Sequence, residues 1–130
     1  MILLDTHVWI WWVNADRARL RPSWSTLIQG DGPVAVSAIS CFEAAWLSQH
    51  GRLRLTRPLA EWFSLALEAS NIGLVALSPE IARRAVELPA HHGDPFDRII
   101  IATAVAHDAK LLSADSKFPA YEVLEGRLNP

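Results

Sequence analysis

Short apolar runs alternate with segments of helical periodicity along the chain. The runs at residues 2–4, 34–36, 74–77, 111–113 and 121–124 predict buried strands. Apolar residues at helical spacing predict helices over residues 7–13, 17–29, 41–50, 58–69, 78–88 and 94–107. This alternation predicts an α/β sandwich built around a mainly parallel sheet with helices on its faces.

Cap and turn residues mark several of the predicted helix ends. Gly51 follows the third helix at the place where a C-terminal cap belongs. Ser78-Pro79 and Asp94-Pro95 each put a capping side chain before a proline at the first helical position. Residues 89–93, between the last two helices, are predicted to form a loop.

Length and composition predict one globular domain over residues 1–130. The chain is 51% hydrophobic and 20% charged, which is enough apolar material for a core. Five tryptophans fall on apolar faces and are expected in the core or in a dimer contact: Trp9, Trp12, Trp24, Trp46 and Trp62. The lone Cys41, an N-terminus without a signal-peptide pattern and the lack of a run of roughly 20 apolar residues predict a cytoplasmic protein without a membrane segment.

The charges give a weak indication of a polyanionic partner. The net charge is −2, but ten of the twelve basic residues are arginines, which bind phosphate in a bidentate manner. Most of them fall in three groups: Arg17/Arg19/Arg21, Arg52/Arg54/Arg57 and Arg83/Arg84. Each group could contact phosphate or could be a solvated helix face, and the sequence leaves this open.

Acidic side chains fall where a parallel sheet gathers its ligands. Asp5 and Asp115 follow the first and fourth predicted strands, and Glu43, Asp94 and Asp97 lie near the starts of helices. Strand ends and the beginnings of the helices at that edge face the same side of the sheet, so we expect these acids to converge there. No aspartate lies between Asp31 and Asp94, so the acids are unevenly distributed.

A cluster of carboxylates points to one kind of chemistry. Like charges raise one another's pKa unless a cation neutralises them, and Mg²⁺ or Mn²⁺ prefers oxygen ligands of this kind. One or two such ions can activate water and stabilise the charge of an in-line phosphodiester displacement. The pattern therefore predicts phosphoryl hydrolysis, with a nucleic acid as the commonest substrate.

Each acid also has a purely structural interpretation. Ser40 and Glu43 have the spacing of a capping box, and Asp94 has the position of an N-cap. Asp97 would complement the helix dipole, Asp5 could cap the helix that follows it, and Asp115 could be a turn aspartate. Capping, however, does not require all of these acids to lie at one edge of the sheet.

The same residues carry a resemblance over nearly the whole chain. The chain resembles the VapC-like PIN-domain toxins in the segments Leu-Leu-Asp5-Thr6-His7, Val-Ser-Ala-Ile-Ser-Cys-Phe-Glu43-Ala-Ala-Trp, Gly51-Arg-Leu-Arg-Leu, Gly-Asp94-Pro-Phe-Asp97-Arg-Ile-Ile-Ile-Ala-Thr-Ala and Leu-Leu-Ser-Ala-Asp115. Each segment is short, but their order and spacing together are specific. The resemblance implies a PIN-like three-layer sandwich and metal-dependent RNA cleavage, with Mg²⁺ (or Mn²⁺) as the cofactor.

The resemblance also implies roles and partners. Asp5, Glu43, Asp97 and Asp115 would form the acidic quartet, with Asp5, Asp97 and Asp115 as metal ligands. Asp94 would be an accessory acid, and Thr6 matches a hydroxyl residue that supports the first aspartate. The implied partners are an RNA substrate, a small antitoxin whose C-terminal segment occupies the catalytic groove, and a second copy of the chain in a homodimer.

The sequence leaves two other hypotheses about function open. The chain could be a PIN-domain nuclease that serves RNA processing or DNA repair without an antitoxin. It could also be a non-catalytic binding module, although the acids of such a module would have no reason to converge.

Overall fold

Four short strands form one parallel sheet in the computed structural model, which describes residues 1–91 and 93–130. The strands are β1 (Ile2–Leu4), β2 (Val34–Ser37), β3 (Gly73–Val75) and β4 (Lys110–Leu112), in the order β3-β2-β1-β4. Every strand pair is parallel. The predicted α/β fold with a parallel sheet is therefore confirmed, and four of the five predicted strands overlap a strand of the structure.

Helices connect the strands and cover both faces of the sheet. They are α1 (Thr6–Val13), α2 (Pro22–Ile28), α3 (Ala38–Gln49), α4 (Leu59–Ser64), α5 (Pro79–Glu87) and α6 (Pro95–Ala106). A π-helical turn, Leu65–Ala69, continues α4. In the part of the chain that the structure describes, no helix is both long and apolar enough to cross a membrane.

The alternation of side chains along the strands divides the core into two layers. Leu4 packs with α1, α2 and the Leu65–Ala69 turn on one face of the sheet. Leu3, its neighbour in sequence, packs with α6 and the C-terminal segment on the other face. Successive side chains of a strand point to opposite faces, so a strand of only three apolar residues contributes to both layers.

The tryptophans of the first layer are structural, as the pattern predicted. Trp9, Trp24 and Trp62 are almost completely buried, and Trp9 and Trp62 contact each other edge to face with ring centroids 5.0 Å apart. The indole nitrogen of Trp9 donates to the carbonyl of Ala66 at 3.0 Å, and that of Trp62 donates to the side chain of Asn14 at 2.9 Å. Trp46, by contrast, lies on the surface.

Three predicted elements differ in the structure. Residues 121–124 do not form a strand but contain a 3-10 turn, Glu122–Leu124. The free edge of β4 is already occupied, because the N–H of Leu111 donates to the carbonyl of Arg127 at 2.9 Å. The predicted helix over residues 17–29 begins only at Pro22. The helix predicted for residues 41–50 begins at Ala38, where the Ser37 side chain caps it. The predicted loop at 89–93 contains His92, which lies outside the described residues.

Candidate active site

All five acids singled out in the sequence line one cavity of about 280 Å³ at the carboxyl end of the sheet. They are Asp5, Glu43, Asp94, Asp97 and Asp115, and His7, Trp11 and Ala114 complete the lining. The topology produces this convergence, since β1 and β4 end here and α1, α3 and α6 begin here. The expected convergence is thus present in the fold.

Asp5 is held in place from two sides. It is the N-cap of α1, and its Oδ1 atom accepts a hydrogen bond from the N–H of Thr6 at 2.8 Å. Its Oδ2 atom accepts a hydrogen bond from the hydroxyl of Ser113 at 2.7 Å. Burial raises the pKa of Asp5, and the bond from Ser113 is the largest influence that lowers it. The carboxylate is therefore fixed in orientation at the wall of the cavity.

Thr6 contacts Asp5 through its backbone. Its N–H donates to the Oδ1 atom of Asp5. The hydroxyl of Thr6 is hydrogen-bonded to the hydroxyl of Ser40 at 2.8 Å. Burial raises the pKa of Glu43, and the nearby side chain of Thr6 is the largest influence that lowers it. Thr6 therefore connects the acid at the start of α1 to the acid on α3.

Glu43 lies in the second turn of α3, not in the first. The capping-box interpretation is wrong, because Ser37 is the N-cap and its hydroxyl accepts from the N–H of Ile39 at 3.2 Å. Glu43 is instead directed into the cavity and is largely buried, and its Oε1 atom has no hydrogen-bond partner among the described residues. Burial raises its pKa. A buried carboxylate oxygen without a donor is a position where a cation or a water is expected.

The corner at the start of α6 contributes two acids with different environments. Asp94 is the N-cap, and its Oδ1 atom accepts from the N–H of Phe96 at 2.9 Å, as the capping interpretation predicted. Asp97 lies in the first turn and is only 8% exposed. Burial, with further contributions from the carboxylates around it, raises the pKa of Asp97 from 3.8 to about 8. This residue experiences the crowding of negative charge more strongly than a surface aspartate would.

Asp115 is both a turn residue and part of the cavity wall. Its Oδ1 atom accepts from the N–H of Lys117 at 2.8 Å, and its own N–H donates to the hydroxyl of Ser113 at 3.1 Å. The interpretation of Asp115 as a turn aspartate is therefore confirmed. It does not exclude a second role, because Asp115 also lines the cavity.

Ser113 is the residue of the site that the sequence reasoning missed. Its hydroxyl lies between Asp5 and the backbone of Asp115, and its backbone pairs with the side chain of Asn129. The signal was available, since Ser113 belongs to the Leu-Leu-Ser-Ala-Asp115 segment. A serine beside an aspartate in a turn is common, however, and only the fold places its hydroxyl against Asp5.

The chemistry of the cavity fits a hard divalent cation. Its possible ligands are carboxylate oxygens, which suit Mg²⁺ or Mn²⁺, and Glu43 offers an oxygen to which no described residue donates. The side chains therefore fit such an ion by the type of donor atom that they offer. They do not yet stand in a metal-binding arrangement, since within residues 1–91 and 93–130 no group of three acidic, histidine or cysteine side chains does so.

Comparisons with known proteins agree with this geometry. A family model described as PIN domain matches residues 2–124. The chain is 39% identical to Ribonuclease VapC22 of Mycobacterium tuberculosis over 121 residues, which cover 92% of this chain and 91% of that protein. The similarity thus extends over nearly the full length of both proteins.

Solved structures share the fold at lower identity. A chain of VapBC2 from Rickettsia felis, bound to a DNA fragment from the promoter of that pair, matches with a TM-score of 0.72 and 18% identity, covering 99% of this chain and 98% of that one. A chain of a toxin–antitoxin complex from Klebsiella pneumoniae matches with a TM-score of 0.61 and 21% identity, covering 95% and 94%. At these identities the likeness supports the fold.

Proposed function

Because the chain belongs to the PIN-domain family, in the group of VapC-type ribonucleases, we propose that it is a metal-dependent endoribonuclease and the toxin of a toxin–antitoxin pair. It hydrolyses phosphodiester bonds of RNA. The observation that carries the proposal is the meeting of five carboxylates in one cavity at the carboxyl end of the sheet. The identity to a named ribonuclease supports RNA as the substrate class.

The proposed roles follow from how each acid is held. Asp5, Asp97 and Asp115 would hold the Mg²⁺ or Mn²⁺ ion, and Glu43 would complete the catalytic acids. The ion would supply Lewis acidity toward the phosphate. Glu43, whose Oε1 atom has no donor among the described residues, is placed to orient a water molecule and to accept a proton from it.

The surrounding residues keep these acids in position. The hydroxyl of Ser113 and the N–H of Thr6 hold both oxygens of Asp5, so its orientation does not depend on the ion. Asp94 keeps its capping bond to Phe96 and acts as an accessory acid that strengthens the negative field of the cavity. Loss of Asp94 should therefore weaken the reaction without abolishing it.

The partners are part of the proposal as well. The two solved structures described above are toxin–antitoxin complexes, which supports a cognate antitoxin for this chain.

A homodimer stays a prediction. It is supported by large apolar side chains at the surface, among them Phe42 at 56% exposure and Val86 at 80%. Light scattering at micromolar concentration tests it, and a monomer with or without antitoxin would contradict it. The cytoplasmic location also stays a prediction.

The direct test is cleavage of RNA by the purified protein. We expect cleavage with Mg²⁺ or Mn²⁺, and none in the presence of EDTA. The control is Asp31→Asn, which removes an acid that lies outside the cavity and should leave cleavage unchanged. Cleavage that persists in the chelator would contradict the metal-dependent mechanism.

Growth of bacteria tests the biological role. Expression of the chain alone should arrest growth, Asp5→Asn should relieve the arrest, and co-expression of the antitoxin encoded beside it should do the same. A chain that cleaves RNA but never arrests growth would favour a nuclease of RNA processing or DNA repair without an antitoxin.

A further inference from the structure

A second cavity adjoins the acidic one and differs from it in charge. It has a volume of about 240 Å³ and is lined by residues of α1, of the segment after it and of the segment after α3. The acidic cavity and this second cavity share two lining residues, His7 and Trp11. The two cavities are therefore neighbours along the surface of α1, and we call the second one the arginine groove.

Arginines dominate the charge of the arginine groove. Arg19, Arg52 and Arg54 line it, against one acid, Asp16, which pairs with Arg19 at 3.5 Å. The end of α3 brings the other two arginines there. Gly51 adopts a positive φ of 69°, and the N–H of Arg52 donates to the carbonyl of Leu47 at 2.9 Å, which turns the chain back along α3.

The three arginine groups of the sequence make different contacts in the structure. Arg83 and Arg84 pair with Glu87 and Glu80 on the surface of α5, at 2.7 and 3.0 Å. In the first group, Arg17 and Arg21 lie over the rings of Trp12 and Trp24.

The group after α3 differs from both. Arg52 lies over the ring of Trp46, and neither Arg52 nor Arg54 has an ion pair with a carboxylate in the described part of the chain. Both side chains are exposed, so their guanidinium groups are accessible to an anion from solvent. Arg52 and Arg54 therefore line a groove without an ion pair of their own, whereas the pair on α5 is neutralised by glutamates.

Aromatic rings lie between the acids and the arginines. His7 and Trp11 are one helical turn apart on α1, with ring centroids 6.1 Å apart. His7 is exposed and Trp11 is half-buried. A ring at the rim of a charged groove can stack with a nucleic-acid base, and such stacking does not depend on the base sequence.

We propose that the arginine groove binds the phosphodiester backbone of single-stranded RNA on one side of the bond to be cleaved. Arg52 and Arg54 contact phosphates, and a base lies against Trp11 and His7. The inference rests on the proposed function, which places the cleaved bond in the acidic cavity. Five carboxylates repel a polyanion, so a strand needs cationic contacts next to the cavity, and the arginine groove supplies them.

The test compares two pairs of arginines that carry the same charge. Arg52→Gln/Arg54→Gln removes the pair in the groove, and Arg83→Gln/Arg84→Gln removes the pair on α5. Binding of a fluorescent single-stranded RNA is measured by anisotropy in EDTA, so that no cleavage occurs, at several salt concentrations. The melting temperature of each variant checks that the fold is kept.

We expect the groove variant to bind the RNA about tenfold more weakly. A plot of the logarithm of the binding constant against the logarithm of the salt concentration should also be less steep by about 1.4, because each phosphate contact on a single strand contributes about 0.7 to this slope. The α5 variant should stay close to the parent. With Mg²⁺ present, the groove variant should show a raised KM for long RNA at unchanged kcat. Equal losses for both pairs, or no loss for the groove pair, would overturn the proposal.

The two proposals fail in different ways. A parent protein that does not cleave RNA with either metal contradicts the proposed function, whatever the binding measurement shows. A parent that cleaves RNA while the groove variant binds and cleaves like the parent contradicts only the role of the groove.

Discussion

The two ends of the parallel sheet carry cavities of opposite character. The cavity at the carboxyl end has a volume of about 280 Å³ and is lined by five acids. The cavity at the amino end is larger, about 500 Å³, but Asp31 is its only charged lining residue among those described. Volume therefore does not identify the site in this protein, whereas the chemistry of the lining side chains does.

The direction of the chain explains the difference. At the carboxyl end, α1 and α6 begin with Asp5 and Asp94 as N-caps, so backbone N–H groups and positive dipole ends face the cavity. At the amino end, α2 finishes and its last carbonyls face the loop before β2. The helix starts at the carboxyl end can therefore hold carboxylates, whereas the end of α2 at the amino end cannot.

The capping and catalytic interpretations of the acids are compatible. Asp5 and Asp94 each use one oxygen in a bond to the start of a helix while they line the cavity. These bonds offset part of the repulsion among the carboxylates. A site of this type can therefore be built from residues that also stabilise the helices around it.

The largest effect that we expect is on cleavage at the carboxyl end. Asp97→Asn should reduce the rate by about 10²–10³-fold, since the loss of a ligand of the proposed metal ion would remove several kcal/mol of transition-state stabilisation. Asp94→Asn should cost about tenfold or less, because Asn keeps the cap and only a charge is lost. Nuclease rates on both variants measure this. If Asp97→Asn cleaves like the parent but melts several degrees lower, Asp97 is only a structural residue.

The next effect is on stability in the absence of metal. The pKa of Asp97 is about 8 in the folded protein and 3.8 in the reference state, so between these values the folded chain holds a proton that the unfolded chain has released. The free energy of unfolding should therefore fall as the pH rises from about 4 to 8. Urea unfolding curves in EDTA at pH 5, 6.5 and 8 measure this free energy for the parent and for Asp97→Asn.

Asp97→Asn should flatten this dependence and should be the more stable protein at pH 8 without metal. Addition of Mg²⁺ at pH 8 should raise the melting temperature of the parent more than that of the variant, because a bound ion offsets the repulsion that the variant has already lost. A parent whose stability rises with pH over this range would contradict the crowding of charge at Asp97.

The smallest effect should come from the amino end. Asp31 is exposed and belongs to the larger cavity. Asp31→Asn should change the free energy of unfolding by less than about 0.5 kcal/mol and should leave the cleavage rate within about twofold. A strong loss of activity would show that the amino end takes part in the function and would remove the contrast between the two ends.

Local patterns of the sequence were sufficient for the α/β class, for the strands β1, β2 and β4, and for the caps at Ser78 and Asp94. The likeness of five short segments to one family was also readable there, and the comparisons agree with it. These features depend on neighbours a few residues apart, such as the period of apolar side chains or a polar residue before a helix. Such signals survive without knowledge of the fold.

Contacts between distant parts of the chain decided the rest. The bond from Ser113 to Asp5 joins residues 108 positions apart, and the turn at residues 121–124 replaces a strand because Arg127 occupies the edge of β4. The two arginine pairs look alike as sequence, yet one is neutralised by glutamates of its own helix and the other lines a groove beside the acids. These contacts depend on how whole helices and strands pack against one another, because that packing determines which groups meet and which stay exposed to solvent.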